Sequence, residues 1–151
     1  MPLTDAQREN IVRVAKEWYG TPYRPHTCLK GVGCDCGTLL KGVYTEAGHQ
    51  PEDGIPTPEH YSVQTYLHRK STEYIDIIAK YMREIPESEV KPGDVVVYKL
   101  GHAFAHAAII VEWPKHVIHS LNREGVHAGH GMNFRFGRLE KKFYTVKDDH
   151  C

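Results

Sequence analysis

The chain has 151 residues, 40% of them hydrophobic and 25% charged, and its 19 basic residues balance 19 acidic ones. That length suits one domain with one substantial core, and the composition is that of a globular chain rather than a disordered or low-complexity one. Balanced charge without a basic stripe argues against a nucleic-acid partner, and no apolar run approaches the ~20 residues of a membrane span.

Met1 to Asn10 is polar and lacks the apolar core of a secretory signal, so the chain is expected to be made and kept in the cytosol. The first element follows directly. Thr4-x-x-Gln7 is a capping-box pattern, and Ile11, Val12, Ala15, Trp18 and Tyr19 supply one apolar face up to Gly20 and Pro22. Residues 21 to 34 read as a loop. A second helix is expected from about Cys36 to Ala47, with Leu39, Leu40, Val43 and Tyr44 at helical spacing and Gly48 as its stop. Pro51 to Pro58 reads as another loop, followed by helical stretches at about Glu59–Arg69 and Thr72–Met82.

At Pro86 the pattern changes. Lys91-Pro92-Gly93-Asp94 is a turn, and Val95 to Tyr98 is β-branched and aromatic, as strands prefer. Ala105–Glu112 and His116–Ser120 read as two strands joined at Trp113-Pro114. Asn122–Gly125 reads as a turn, and Lys142–Val146 as a last strand. Helices first and strands second predict an α+β domain, residues 1–151, with N-terminal helices packed on a C-terminal antiparallel sheet.

Of the four cysteines, Cys28, Cys34, Cys36 and Cys151, one stands out by position. Without a signal peptide a disulfide framework is not expected, and free thiols are the default. Cys36 opens a helix, where unpaired amides and the positive end of the helix dipole favour thiolate over thiol. Such a nucleophile needs a base, and the base needs an orienting partner. Two histidines in apolar strand segments are the candidates, His106 and His119. A polar ring in such a run must find a partner or face a cleft. A two-residue loop at Trp113-Pro114 sets His119 opposite Ala108, diagonal to His106. An odd loop separates the rings unless a bulge intervenes. A rival reading makes Cys28, Cys34, Cys36 and His26 a zinc site. Their spacing is a poor match to the paired clusters that structural zinc uses. His127 and His130 read as loop residues.

Taken together, Gly20-Thr21-Pro22-Tyr23, Asp35-Cys36 opening a helix, Lys91 to Tyr98, His106 and Ile118-His119 resemble the NlpC-type cysteine peptidases. These are circularly permuted, papain-like enzymes that cut peptidoglycan stem peptides. Tyr23-Arg24 and Leu29 to Cys36 are most similar to the branch found in phages and phage-like particles, which implies tail proteins as partners. The resemblance further implies Cys36 as nucleophile, His106 as general base and later acid, and His119 as the residue orienting His106. Tyr23 and Asp35 would line the substrate site, Tyr23 beside the substrate and Asp35 helping to hold the helix start, and no metal or cofactor is implied. Two features depart from the pattern: Gly37-Thr38 follows Cys36 where many members have Ser-Gly, and the His106-to-His119 interval is about one residue longer than usual. An acyl-transferring or thioester-cleaving enzyme on the same fold, and a non-catalytic tail-assembly adaptor, are the rival functions.

Overall fold

The computed structural model describes residues 3–49, 82–133 and 135–146. Helix α1 (Asp5–Lys16) begins at the expected capping box: Gln7 N–H donates to Thr4 Oγ1 at 3.1 Å, and Thr4 N–H donates to Gln7 Oε1 at 2.8 Å. It ends three residues earlier than the sequence pattern suggests. Trp18 and Tyr19 lie in a turn closed by Gly20 at φ +84°. From that turn the Trp18 ring lies against helix α2 (Cys36–Glu46). A Cβ at Gly42 would sit 2.4 Å from Trp18 Cζ2, so only glycine lets the indole approach so closely.

The predicted loop before α2 contains a two-stranded hairpin, β1 (Cys28–Leu29) and β2 (Gly33–Cys34). The remaining strands are β3 (Met82–Ile85), β4 (Val95–Leu100), β5 (Ala103–Glu112), β6 (His116–Leu121), β7 (Gly125–Gly129) and β8 (Lys141–Val146). They form one antiparallel sheet in the order β3-β8-β4-β5-β6-β7. The α+β arrangement with helices on an antiparallel sheet is therefore present. The Glu59–Arg69 stretch lies outside the described residues, as does Thr72–Met82 except for Met82, which opens β3 rather than closing a helix. Strand β7 was not expected either. It makes His127 a strand residue rather than a loop one, while His130 does follow the strand.

Both faces of the sheet are buried, which explains why Val95-Val96-Val97 is continuously apolar instead of alternating. Val95, Val97, Ala107, Ile109 and Ile118 pack with Ile11, Leu39, Leu40 and Val43 of the helices. Val96, Tyr98, Ala108, Ile110 and Val117 pack on the other side with Phe136 and Phe143. Phe136 belongs to the segment between β7 and β8, so that segment roofs the second face.

A buried ion pair ties the helices to the sheet. Arg8 Nη1 donates to Asp94 Oδ1 at 2.8 Å and to the Pro92 carbonyl at 3.0 Å, and Tyr44 Oη donates to the Gly93 carbonyl at 2.7 Å. The Lys91-to-Asp94 turn is thus the point where α1, α2 and β4 meet. Among the described residues no helix is long and apolar enough to cross a membrane.

Candidate active site

The start of α2 is built from the sequence Asp35-Cys36-Gly37-Thr38. Thr38 N–H donates to Asp35 Oδ1 at 2.9 Å, and Asp35 N–H donates to Thr38 Oγ1 at 2.8 Å, a reciprocal cap. The second carboxylate oxygen accepts from His26 N–H at 2.9 Å. Thr38, at the departure from Ser-Gly, supplies the other half of this cap. Asp35 is fully buried beneath the helix start, with both oxygens engaged, and does not line the cleft. Its place is that of a support for the helix start that carries Cys36, the position the resemblance implies for it, though it lies beneath the site rather than along its lining.

Cys36 is the first residue of α2, among the amides that carry the positive end of the helix dipole. It borders a cleft of about 250 Å³ that Tyr23, His106, Asn122, Arg135 and Phe136 also line. Its Sγ donates to the Ala105 carbonyl at 3.4 Å, which tethers the sulfur to the residue next to His106. The register of β4 with β5 shifts at Tyr98/Lys99, leaving Ala105 without a cross-strand partner there.

Hairpin geometry decides the pairing of the histidines. Three residues, Trp113 to Lys115, connect β5 to β6, and Glu112 faces His116. That odd connection alone would put the rings on opposite faces. A bulge between Ile110 and Glu112 absorbs one residue, so Ile109 faces Ile118 and both histidines fall on the same face. His106 Nε2 and His119 Nδ1 are 3.1 Å apart. His106 also stacks on Phe136 at 5.1 Å and lies 5.8 Å from the Tyr98 ring. His119 is covered by His127, its cross-strand partner, with ring centroids 4.9 Å apart.

Burial removes water from both rings and, with neighbouring positive charge, lowers their pKa values, His106 to about 3 and His119 to about 4. Both are neutral near pH 7, so one ring donates and the other accepts. For His106 to take a proton at Nδ1, its Nε2–H must donate to His119 Nδ1. In that arrangement His119 accepts at Nδ1 and holds the His106 ring in place. Tyr23 is held in the cleft because its flanking residues pair with β2: Cys34 N–H donates to the Pro22 carbonyl and Arg24 N–H to the Cys34 carbonyl, both at 3.0 Å. Burial, with Cys36 nearby, raises the Tyr23 pKa, so its phenol stays a neutral donor. Burial likewise pushes the Cys34 thiol up to about 12 and raises that of Cys28.

The structure therefore gathers Cys36, His106, His119 and Tyr23, and adds Phe136 and Arg135, which sequence reasoning missed. Their only signal was a pair of large side chains in a segment bounded by Gly131 and Gly137, with no period to place them. The three described cysteines form no disulfide with one another. Among the described residues, no group of three or more His, Cys, Asp or Glu side chains is disposed to hold a metal, and His26, Cys28, Cys34 and Cys36 form no such group.

The sequence profile of the NlpC/P60 family matches residues 20–135. No curated protein sequence matches the chain. Among solved structures, the NlpC/p60 domain of peptidoglycan hydrolase SagA is 20% identical with a TM-score of 0.64, over 93% of this chain and 97% of that one. A Staphylococcus aureus NLP/P60 family protein, similar to lipoprotein, is 18% identical with a TM-score of 0.69, over 98% of this chain but 44% of that one. RipD of Mycobacterium tuberculosis, a non-catalytic NlpC/p60 domain protein adapted to peptidoglycan binding, is 14% identical with a TM-score of 0.58, over 93% and 98%. At these identities the likeness is one of fold, the papain-like α+β fold.

Proposed function

Because the chain belongs to the NlpC/P60 family, we propose that it is a cysteine hydrolase of peptidoglycan stem peptides. The observation that carries the reading is the cleft that Cys36 and His106 both line, with His106 bonded to His119 at 3.1 Å. In this reading His106 Nδ1 removes the thiol proton as Cys36 Sγ attacks the peptide carbonyl. The negative charge developing beside the imidazole offsets the burial that keeps it neutral at rest. First-turn amides of α2 stabilise the oxyanion. His106 then gives its proton to the leaving amine, and water, activated by the same ring, hydrolyses the thioester. The bond proposed is that between D-glutamate and the diamino acid.

The experiment is digestion of purified peptidoglycan by the intact protein and by Cys36→Ala, with released peptides identified by mass spectrometry. New termini at the D-glutamate bond from the intact protein alone support the reading. Identical product profiles refute it. Likeness in fold to the non-catalytic RipD favours a second reading, a peptidoglycan-binding module. That reading predicts sedimentation with peptidoglycan for both proteins and cleavage by neither. Assignment to a phage-like particle, loaded from the cytosol, rests on the Tyr23-Arg24 and Leu29-to-Cys36 resemblance. It is tested by probing purified particles from the host for this chain.

A further inference from the structure

Among the described residues that line the cleft, Arg135 carries the single permanent charge; the others are apolar, neutral at pH 7, or the Cys36 thiol. Its position is set locally. Arg135 N–H and Phe136 N–H both donate to Asn133 Oδ1 at 2.9 Å, which fixes the turn that presents the side chain. Its guanidinium carbon lies 5.8 Å from the Phe136 ring centre, and that same ring stacks on His106 at 5.1 Å. The cation is close enough to both buried histidines to help lower their pKa values. Its Nη1 lies 3.8 Å from Glu124 Oε2, with both side chains more than half exposed. An exposed pair at that distance stabilises little and gives way readily to a better acceptor.

We propose that Arg135 is a specificity residue that receives a substrate carboxylate flanking the scissile bond. The proposal rests on the hydrolase reading above and deepens it. A planar guanidinium matches a carboxylate by two parallel N–H···O bonds, a geometry no other side chain lining the cleft offers. A γ-linked D-glutamate fits this demand, because its α-carboxylate is left outside the peptide chain. That carboxylate carbon is roughly 5 Å from the scissile carbonyl carbon when the side chain is extended. A diamino acid with its own second carboxylate offers the same chemistry from the leaving side.

The test uses Cys36→Ala protein, which retains the cleft without turnover, titrated calorimetrically with four synthetic L-Ala-γ-D-Glu-(diamino acid) peptides. Two contain lysine, with the D-glutamate carboxylate free or amidated. Two contain diaminopimelate with an amidated D-glutamate, and their distal carboxylate is free or amidated. The expected result is that a free carboxylate strengthens binding about tenfold in one of the two pairs, and that Arg135→Gln removes the difference. Arg135→Lys should keep part of it, and Glu124→Gln should enlarge it by removing the competing carboxylate. Which pair responds identifies the source of the carboxylate. Equal affinity within both pairs, or a preference that survives Arg135→Gln, overturns the assignment and leaves the hydrolase reading intact. If none of the peptides is bound and none is cleaved by the wild-type protein, both fall.

Discussion

Acidification from pH 7 to 5 should weaken the fold through His106 and His119. Each ring has a folded pKa, about 3 and about 4, below the ordinary value of 6.5. Over that interval the unfolded chain binds protons that the native protein refuses, so stability rises with pH. The full contribution is present above pH 6.5 and is lost as pH falls toward 4. With one excess proton per histidine the slope is about 2.7 kcal/mol per pH unit, the sum of two single-site slopes of about 1.36. Integrated from pH 7 to 5, the two rings together cost about 4 kcal/mol, and nearly all of that depends on the unfolded value because both folded values lie at or below about 4. This is a large share of the ~5–15 kcal/mol that holds a typical domain folded. Urea unfolding followed by fluorescence of Trp18 and Trp113 would measure it, with the midpoint falling by about 2 M between pH 7 and 5. A double variant, His106→Gln with His119→Gln, should lose most of the slope whatever its absolute stability. If parent and double variant show the same pH dependence over this range, the rings are charged in the folded state and the tautomer argument for His106 fails with it.

Arg8→Ala leaves Asp94 as an uncompensated interior charge and should cost about 3–5 kcal/mol in urea unfolding. Arg8→Ala combined with Asp94→Asn should recover part of that. Asp35→Ala removes the α2 cap and should cost about 1–2 kcal/mol, while Asp35→Ser, which still caps, should cost less. Because Cys36 is the next residue, its iodoacetamide labelling, read by site-resolved mass spectrometry, should slow in Asp35→Ala. An unchanged rate would separate the cap from the thiol. At Gly129 an added Cβ would lie 2.9 Å from His119 Nε2, so Gly129→Ala should displace that ring from His106. Turnover of wall peptides should drop about tenfold or more, with a melting temperature only a few degrees lower. Unimpaired turnover would show that the His106–His119 bond is dispensable.

The helices were legible because they are written locally. Thr4 and Gln7 form their cap within four residues, and the apolar spacing of α2 needs no knowledge of what covers it. Strand β4 and the core of β5 could also be read, since β-branched and small apolar runs carry their own preference. Strands β3 and β7 could not. Met82–Ile85 and Gly125–Gly129 have little strand propensity, and they become strands because β8 and β6 offer them backbone partners. Residue types and order along the chain were enough to nominate Cys36, His106 and His119. Sequence alone left open whether His119 reaches His106, because a one-residue change of register reverses every side chain. The bulge between Ile110 and Glu112 settles that, and it exists only as a relation between two strands. The same holds for Arg8 with Asp94, 86 positions apart, and for Phe136 and Arg135, brought to the cleft by the segment that covers the second face of the sheet. Local chemistry fixed which groups were available, and non-local backbone pairing determined which of them meet.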